Sequence, residues 1–176
     1  MPGTEWYFLK GKGSWVSPHK INQWGKYSMK LYPDAESMAL LQQLQKDKGI
    51  KNRIEKDDDG WWVRLNRPSE LKLRTGKIVG MKPPEVFNGN MPIKDEQGNV
   101  VAYAPLNEPI GNGSDVVAKV EVYPYTPPAS RDGKKEWAMR WFSVRIDHLI
   151  PFNKPSFDEG GQNAVMGFET QGKQLF

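Results

Sequence analysis

Residues 26–32 read Lys-Tyr-Ser-Met-Lys-Leu-Tyr, an alternation that puts Tyr27, Met29 and Leu31 on one side of an extended chain and Lys26, Ser28, Lys30 and Tyr32 on the other. A helix would scatter these side chains around its axis, whereas a strand with one buried face sorts them as written. The same period returns at 61–65, where Trp61, Val63 and Leu65 share the face expected to be buried and Trp62 and Arg64 point away. It returns again where Leu71 and Leu73 alternate with Lys72 and Arg74. Further runs at 116–125 and 137–150 are rich in Val, Tyr, Trp and Phe, and clusters such as Asp57-Asp58-Asp59-Gly60 and Gly111-Asn112-Gly113-Ser114 lie between strands as turns. The pattern predicts a mainly β protein with one helix over 34–48. There Asp34 caps the start, Met38, Leu41 and Leu44 recur at three-residue spacing, and Gly49 supplies the stop.

A chain of 176 residues with 38% hydrophobic side chains can bury one core of ordinary size. Residues 1–152 carry the periodic segments and form the expected domain. Residues 153–176 contain Gly160-Gly161 and no periodic apolar face, and are expected to be a flexible C-terminal tail. No stretch approaches the length of a membrane span, and the opening residues lack a basic region followed by an apolar one, so a soluble, unexported chain is expected.

The absence of cysteine excludes disulfides, thiolate metal sites and cysteine nucleophiles, and His19 and His148 alone cannot build a multi-histidine metal centre. Gly111-Asn112-Gly113-Ser114 lacks the Lys-Ser/Thr of a nucleotide-binding loop. The Asp57 run has Trp62 where a calcium loop needs glycine. No catalytic set, cofactor or metal is expected, and the chain reads as a binding protein rather than an enzyme.

Charge points to the partner. Residues 10–74 hold 14 Lys/Arg against 8 Asp/Glu, while residues 75–150 hold 9 of each. The outward faces of the early strands pair those cations with aromatics: Lys26, Lys30 and Tyr32 on one strand, Trp62 and Arg64 on the next, Lys72 and Arg74 beyond. Cations that track phosphates beside rings that stack on unpaired bases suit single-stranded nucleic acid. The bland alternative is that Tyr32 and Trp62 pack against the helix or cover the ends of the core. Tyr123 and Tyr125, flanking Pro124, either extend the stacking surface or anchor a strand exit. An RNA-binding protein, or a virion or assembly protein using its aromatics as an interface, are the competing functions.

The order of motifs resembles the single-stranded DNA-binding proteins encoded by tailed bacteriophages. The matching elements are Lys10-Gly11-Lys12-Gly13-Ser14-Trp15 leading to Pro18, Gly25 through Pro33 running into the helix, and Asp58-Asp59-Gly60-Trp61-Trp62 entering a basic strand. After them come Pro109-Ile110-Gly111-Asn112-Gly113-Ser114 before a Val-rich strand ending Tyr123-Pro124-Tyr125, and His148-Leu149-Ile150-Pro151-Phe152. The resemblance implies an OB-fold five-stranded barrel with one inserted helix and extra hairpins. It also implies sequence-independent binding of single-stranded DNA in phage DNA replication or recombination, in the cytoplasm of the infected bacterial host. Trp15, Lys26, Lys30, Trp62 and Arg64 are thereby implied to lie on or near the DNA-binding strands. Replication proteins of this kind often end in an acidic tail closed by an aromatic residue. Here Phe176 is present but Asp158, Glu159 and Glu169 are spread among neutral residues, which weakens the implied recruitment of replication partners through the tail.

Overall fold

A computed structural model describes residues 3–73, 75–127 and 131–152 of the 176. The expected tail lies outside the described residues. In chain order the elements are β1 (Glu5–Ser17), β2 (Lys26–Pro33), α1 (Ala35–Lys48), β3 (Ile54–Asp57), β4 (Gly60–Pro68), β5 (Glu70–Lys72), β6 (Ile78–Gly80), β7 (Glu85–Lys94), β8 (Val100–Pro105), β9 (Ser114–Tyr125) and β10 (Glu136–His148). Among the described residues eight strands form one sheet in the order β3-β4-β2-β1-β9-β10-β7-β8, and β5 and β6 form a separate hairpin.

The length of β1 organises the sheet. Its first part pairs antiparallel with β9, from Glu5 opposite Val122 to Gly13 opposite Ser114, and its second part pairs with β2. Gly11 stands where the two pairings overlap, and a Cβ there would collide with the backbone carbonyl of Tyr32. A bulge between Ser14 and Ser17 bends the strand, with Trp15 at φ 50°. The bend curls the sheet until β4 and β10 meet, and the Arg67 guanidinium donates to the Trp141 carbonyl at 3.4 Å across that seam. The five strands β4-β2-β1-β9-β10 therefore close as an OB-type barrel, with the helix inserted between early strands and the β5–β6 and β7–β8 hairpins added outside.

The alternation sorts the core as the sequence predicts. Met29 and Leu31 of β2, Val63 and Leu65 of β4, and Val116, Ala118, Val120 and Val122 of β9 point inward and are fully buried, with Leu9 and Trp141 among them. Burying each Val, Leu or Met contributes about 1.5–3 kcal/mol. The α1 helix covers one end of the barrel with Leu41 and Leu44. It begins where the Asp34 carboxylate accepts the Ser37 N–H at 2.8 Å, and it stops where Gly49, at φ 69°, donates to the Gln45 carbonyl.

Face assignments fail at Ser28, which is buried, at Leu73, which is 44% exposed, and at Trp61. Trp61 has the parity of Val63 and Leu65 but is 53% exposed. The β2–β4 register ends with Leu31 opposite Val63, so at Trp61 the strand has run past the core and has only β3 beside it, at Lys56. Arg67 keeps that parity at the other end of β4 and is buried.

Candidate nucleic-acid interface

The outer face of β2 and β4 gathers the residues that alternation exposes. Lys30 lies opposite Arg64 in the register, and its ammonium sits 4.3 Å from the centre of the Trp62 ring, with the Arg64 guanidinium at 5.4 Å. Lys30 and Tyr32 both donate to the Asp57 carboxylate of β3, Tyr32 at 2.6 Å. These bonds, Lys30 first, hold the Asp57 carboxyl down to about 2. The same hydrogen bond raises Lys30, and burial raises the Tyr32 phenol. This face is therefore partly satisfied by its own acid. Arg64 is exposed beside it and Trp62 is half-buried between the two cations, while Lys26 is exposed at the start of β2, opposite Pro68.

The other expected residues are dispersed. Trp15 is exposed at the β1 bulge, where its N–H donates to the Asn112 side chain at 2.8 Å. Lys72 belongs to the separate β5–β6 hairpin, and Arg74 lies outside the described residues. Tyr123 and Tyr125 stand at the end of β9 with ring centres 6.3 Å apart. The Arg140 guanidinium lies 4.3 Å from the centre of the Tyr123 ring. Burial pushes the Tyr123 phenol up.

A second aromatic face, on β1, β9 and β10, escaped the reading by motifs. Trp6 and Phe8 point outward from β1 and are 44% and 60% exposed. In register, Trp6 faces Glu121 and Phe8 faces Lys119. The Lys119 ammonium lies 4.8 Å from the Trp6 ring centre, 5.4 Å from Phe142 and 5.9 Å from Phe8. Trp6 and Phe142 meet edge to face at 4.7 Å. One cation thus stands among three rings, two of them open to solvent, with Lys10 and Lys12 continuing the outward row of β1. The signal in the chain is Trp6-x-Phe8-x-Lys10-x-Lys12, a period-two run that begins four residues before the Lys10 motif.

A buried carboxylate lies within this face, at the position paired with Trp6. Glu121 receives Arg140 and approaches Arg67 at 3.7 Å, while Arg67 also donates to the Lys82 carbonyl at 2.7 Å. Burial lowers the Arg67 guanidinium, and Glu121 opposes that shift. The two arginines lean on rings, Arg140 on Tyr123 and Arg67 on Phe142, where it lies 5.5 Å from the ring centre. The acid thus neutralises two cations and fixes where both aromatic platforms are held.

Among the described residues no group of three or more His, Asp or Glu side chains is placed to hold a metal ion, and no helix is long and apolar enough to cross a membrane. No protein-family model and no curated protein matches the chain. Solved structures do. The likeness is to phage single-stranded DNA-binding proteins. The structure of gp2.5, a single-stranded DNA binding protein encoded by bacteriophage T7, is similar over 94% of this chain and 100% of its own, at 15% identity and a TM-score of 0.47. The single-stranded DNA-binding protein from bacteriophage Enc34 is similar over 92% of this chain and 87% of its own, at 15% identity and a TM-score of 0.47. Its complex with single-stranded DNA is similar over 86% of this chain and 90% of its own, at 14% identity and a TM-score of 0.45.

Proposed function

We propose that the protein binds single-stranded DNA with little base specificity, stacking unpaired bases on outward aromatics and meeting phosphates with lysines and arginines. The observation that carries this reading is the cluster of Trp6, Phe8 and Phe142 around Lys119. Large rings left in solvent mark a binding surface, and the cation among them suits a ligand that is both flat and anionic. Trp62 with Arg64 extends the surface around the barrel, as do Lys26 and Trp15, while Lys30 and Tyr32 support Trp62 through Asp57. A duplex hides its base faces and would meet only the cations. Residues 1–152 act as the binding domain in this reading, in strand protection during phage DNA replication or recombination inside an infected cell, without catalysis.

The test is a titration of tryptophan emission with oligo-dT, with duplex DNA and with oligo-U at several salt concentrations. Quenching is expected with oligo-dT, weakening with salt at a log–log slope of about −0.7 per phosphate met. Equal affinity for duplex DNA, or no dependence on salt, would refute the reading. Tighter binding of oligo-U would make the ligand RNA.

A further inference from the structure

The β7–β8 hairpin does more than extend the sheet. β7 leaves the barrel parallel to β10, with Phe87 opposite Arg145, and then folds with β8 as an arm over the outer face. Its base is fixed at three points. The Tyr103 hydroxyl accepts from Arg145 at 3.2 Å, Asn90 donates to the Asp147 carbonyl at 3.0 Å, and Gly89 passes so close to Asp147 that any side chain would strike its carboxylate. Arg145 is itself held by Asp147 at 2.7 Å.

Two hollows lie along this arm, and Glu85, Phe87 and Phe142 border both. The smaller, about 290 Å³, opens between Phe8, Lys119, Tyr103 and Arg145. The larger, about 430 Å³, opens between His19, Arg67, Lys82 and Leu106. Phe87 and Phe142 thus stand where the hollows adjoin. Each hollow offers apolar, ring-bearing walls with cations at its margin, and among the described residues Glu85 is the one carboxylate lining them. An anionic strand carrying a flat base at every step matches that distribution, whereas a basic peptide would be repelled.

We propose that these hollows are base-binding compartments. Adjacent bases of a single strand enter on either side of Phe87 and Phe142, and the phosphates between them meet Lys119 on one side and Lys82 on the other. This deepens the single-strand reading and rests on it. Hollows of about 290 and 430 Å³ have room for single bases and none for a duplex, so strand selectivity arises here as well as on the open face.

The experiment uses the full-length chain and oligo-dT carrying one 2-aminopurine at successive positions. With wild-type protein, emission is expected to change strongly at a small set of adjacent positions. In Phe87→Ala and in Phe142→Ala that position-specific change disappears and affinity falls about 5- to 150-fold, the equivalent of about 1–3 kcal/mol for one stacked base. Phe87→Leu, which keeps the bulk and loses the ring, separates stacking from any loosening of the arm and should behave as the alanine variant does. An even response along the oligonucleotide, or unaltered affinity in Phe87→Leu, overturns the compartments while leaving the open-face reading intact. No binding by wild type overturns both. Self-association through the arm in sedimentation without DNA, abolished by Phe87→Leu, would instead assign the groove to a second copy of the chain.

Discussion

The Asp57 carboxylate accepts the Tyr32 hydroxyl at 2.6 Å while it also takes the Lys30 ammonium, so one turn acid at the end of β3 ties down a cation and a ring on β2. The hairpin joining β3 to β4 thereby limits how many of the outward groups can turn to a ligand. Asp57→Asn removes the charge that holds Lys30. Affinity for oligo-dT is expected to rise, and the salt slope to steepen by about 0.7, the increment for one added phosphate contact. Unchanged affinity and slope would mean that Lys30 already reaches the strand from its present position.

The same pair makes a prediction for pH. The folded value of Asp57, about 2, lies below that of a free carboxyl, so its ion pair stabilises the fold fully above about pH 4. That contribution is lost as pH falls from there through about 2. Carbon-13 NMR of the Asp57 carboxyl should show a midpoint near 2, and a midpoint near the free value of about 3.9 would contradict the bonding described.

On the second face, Lys119→Ala should weaken binding to every base composition alike and make the salt slope shallower by about 0.7. Phe8→Ala should cost about 1–3 kcal/mol of affinity with no change in thermal stability, because Phe8 is exposed and contributes little to the core. Loss of stability with intact affinity would show Phe8 to be a packing residue.

Trp61 and Trp62 test the outward face of β4. Trp62→Ala should lower affinity by about 1–3 kcal/mol, whereas Trp61→Ala should change stability by no more than about 0.5 kcal/mol, since it lies beyond the core. Trp141→Ala is the contrasting core truncation, expected to cost about 3–5 kcal/mol in denaturant melts. A large destabilisation by Trp61→Ala would place its ring inside.

Glu121→Ala leaves Arg67 buried without its acid, and a broken buried pair costs about 3–5 kcal/mol. Chemical denaturation reads the loss directly. A melt matching wild type would show that the Lys82 and Trp141 carbonyls alone satisfy Arg67.

Much of this architecture is legible in the chain because its signals are local. Asp34 and Gly49 mark both ends of the helix, and the two-residue period across Met29, Leu31, Val63 and Leu65 assigns inner faces correctly. What periodicity does not carry is where the core stops, which depends on how far neighbouring strands extend. Trp61 is exposed because the β2–β4 pairing stops at Val63, and Arg67 is buried because β10 closes over it. The Trp6, Phe8 and Lys119 cluster joins residues more than a hundred positions apart through the β1–β9 register, so Lys119 could be placed among those rings only by the fold.

The parallel attachment of β7 to β10 also sets an order of assembly. Residue 86 meets residue 144 only after the intervening chain has looped back, so this contact carries a closure entropy that hairpins such as β3–β4 avoid. Beyond Gly89 the arm exposes Met91, Ile93, Val100 and Val101, and little holds it apart from its few bonds to Arg145 and Asp147. It is therefore expected to dock onto a barrel that is already built and to exchange its amide protons before β9 and β1 do. On the proposed single-strand reading, a strand of DNA need not be threaded from one end: a brief release of the arm, far smaller than unfolding, would admit it from the side.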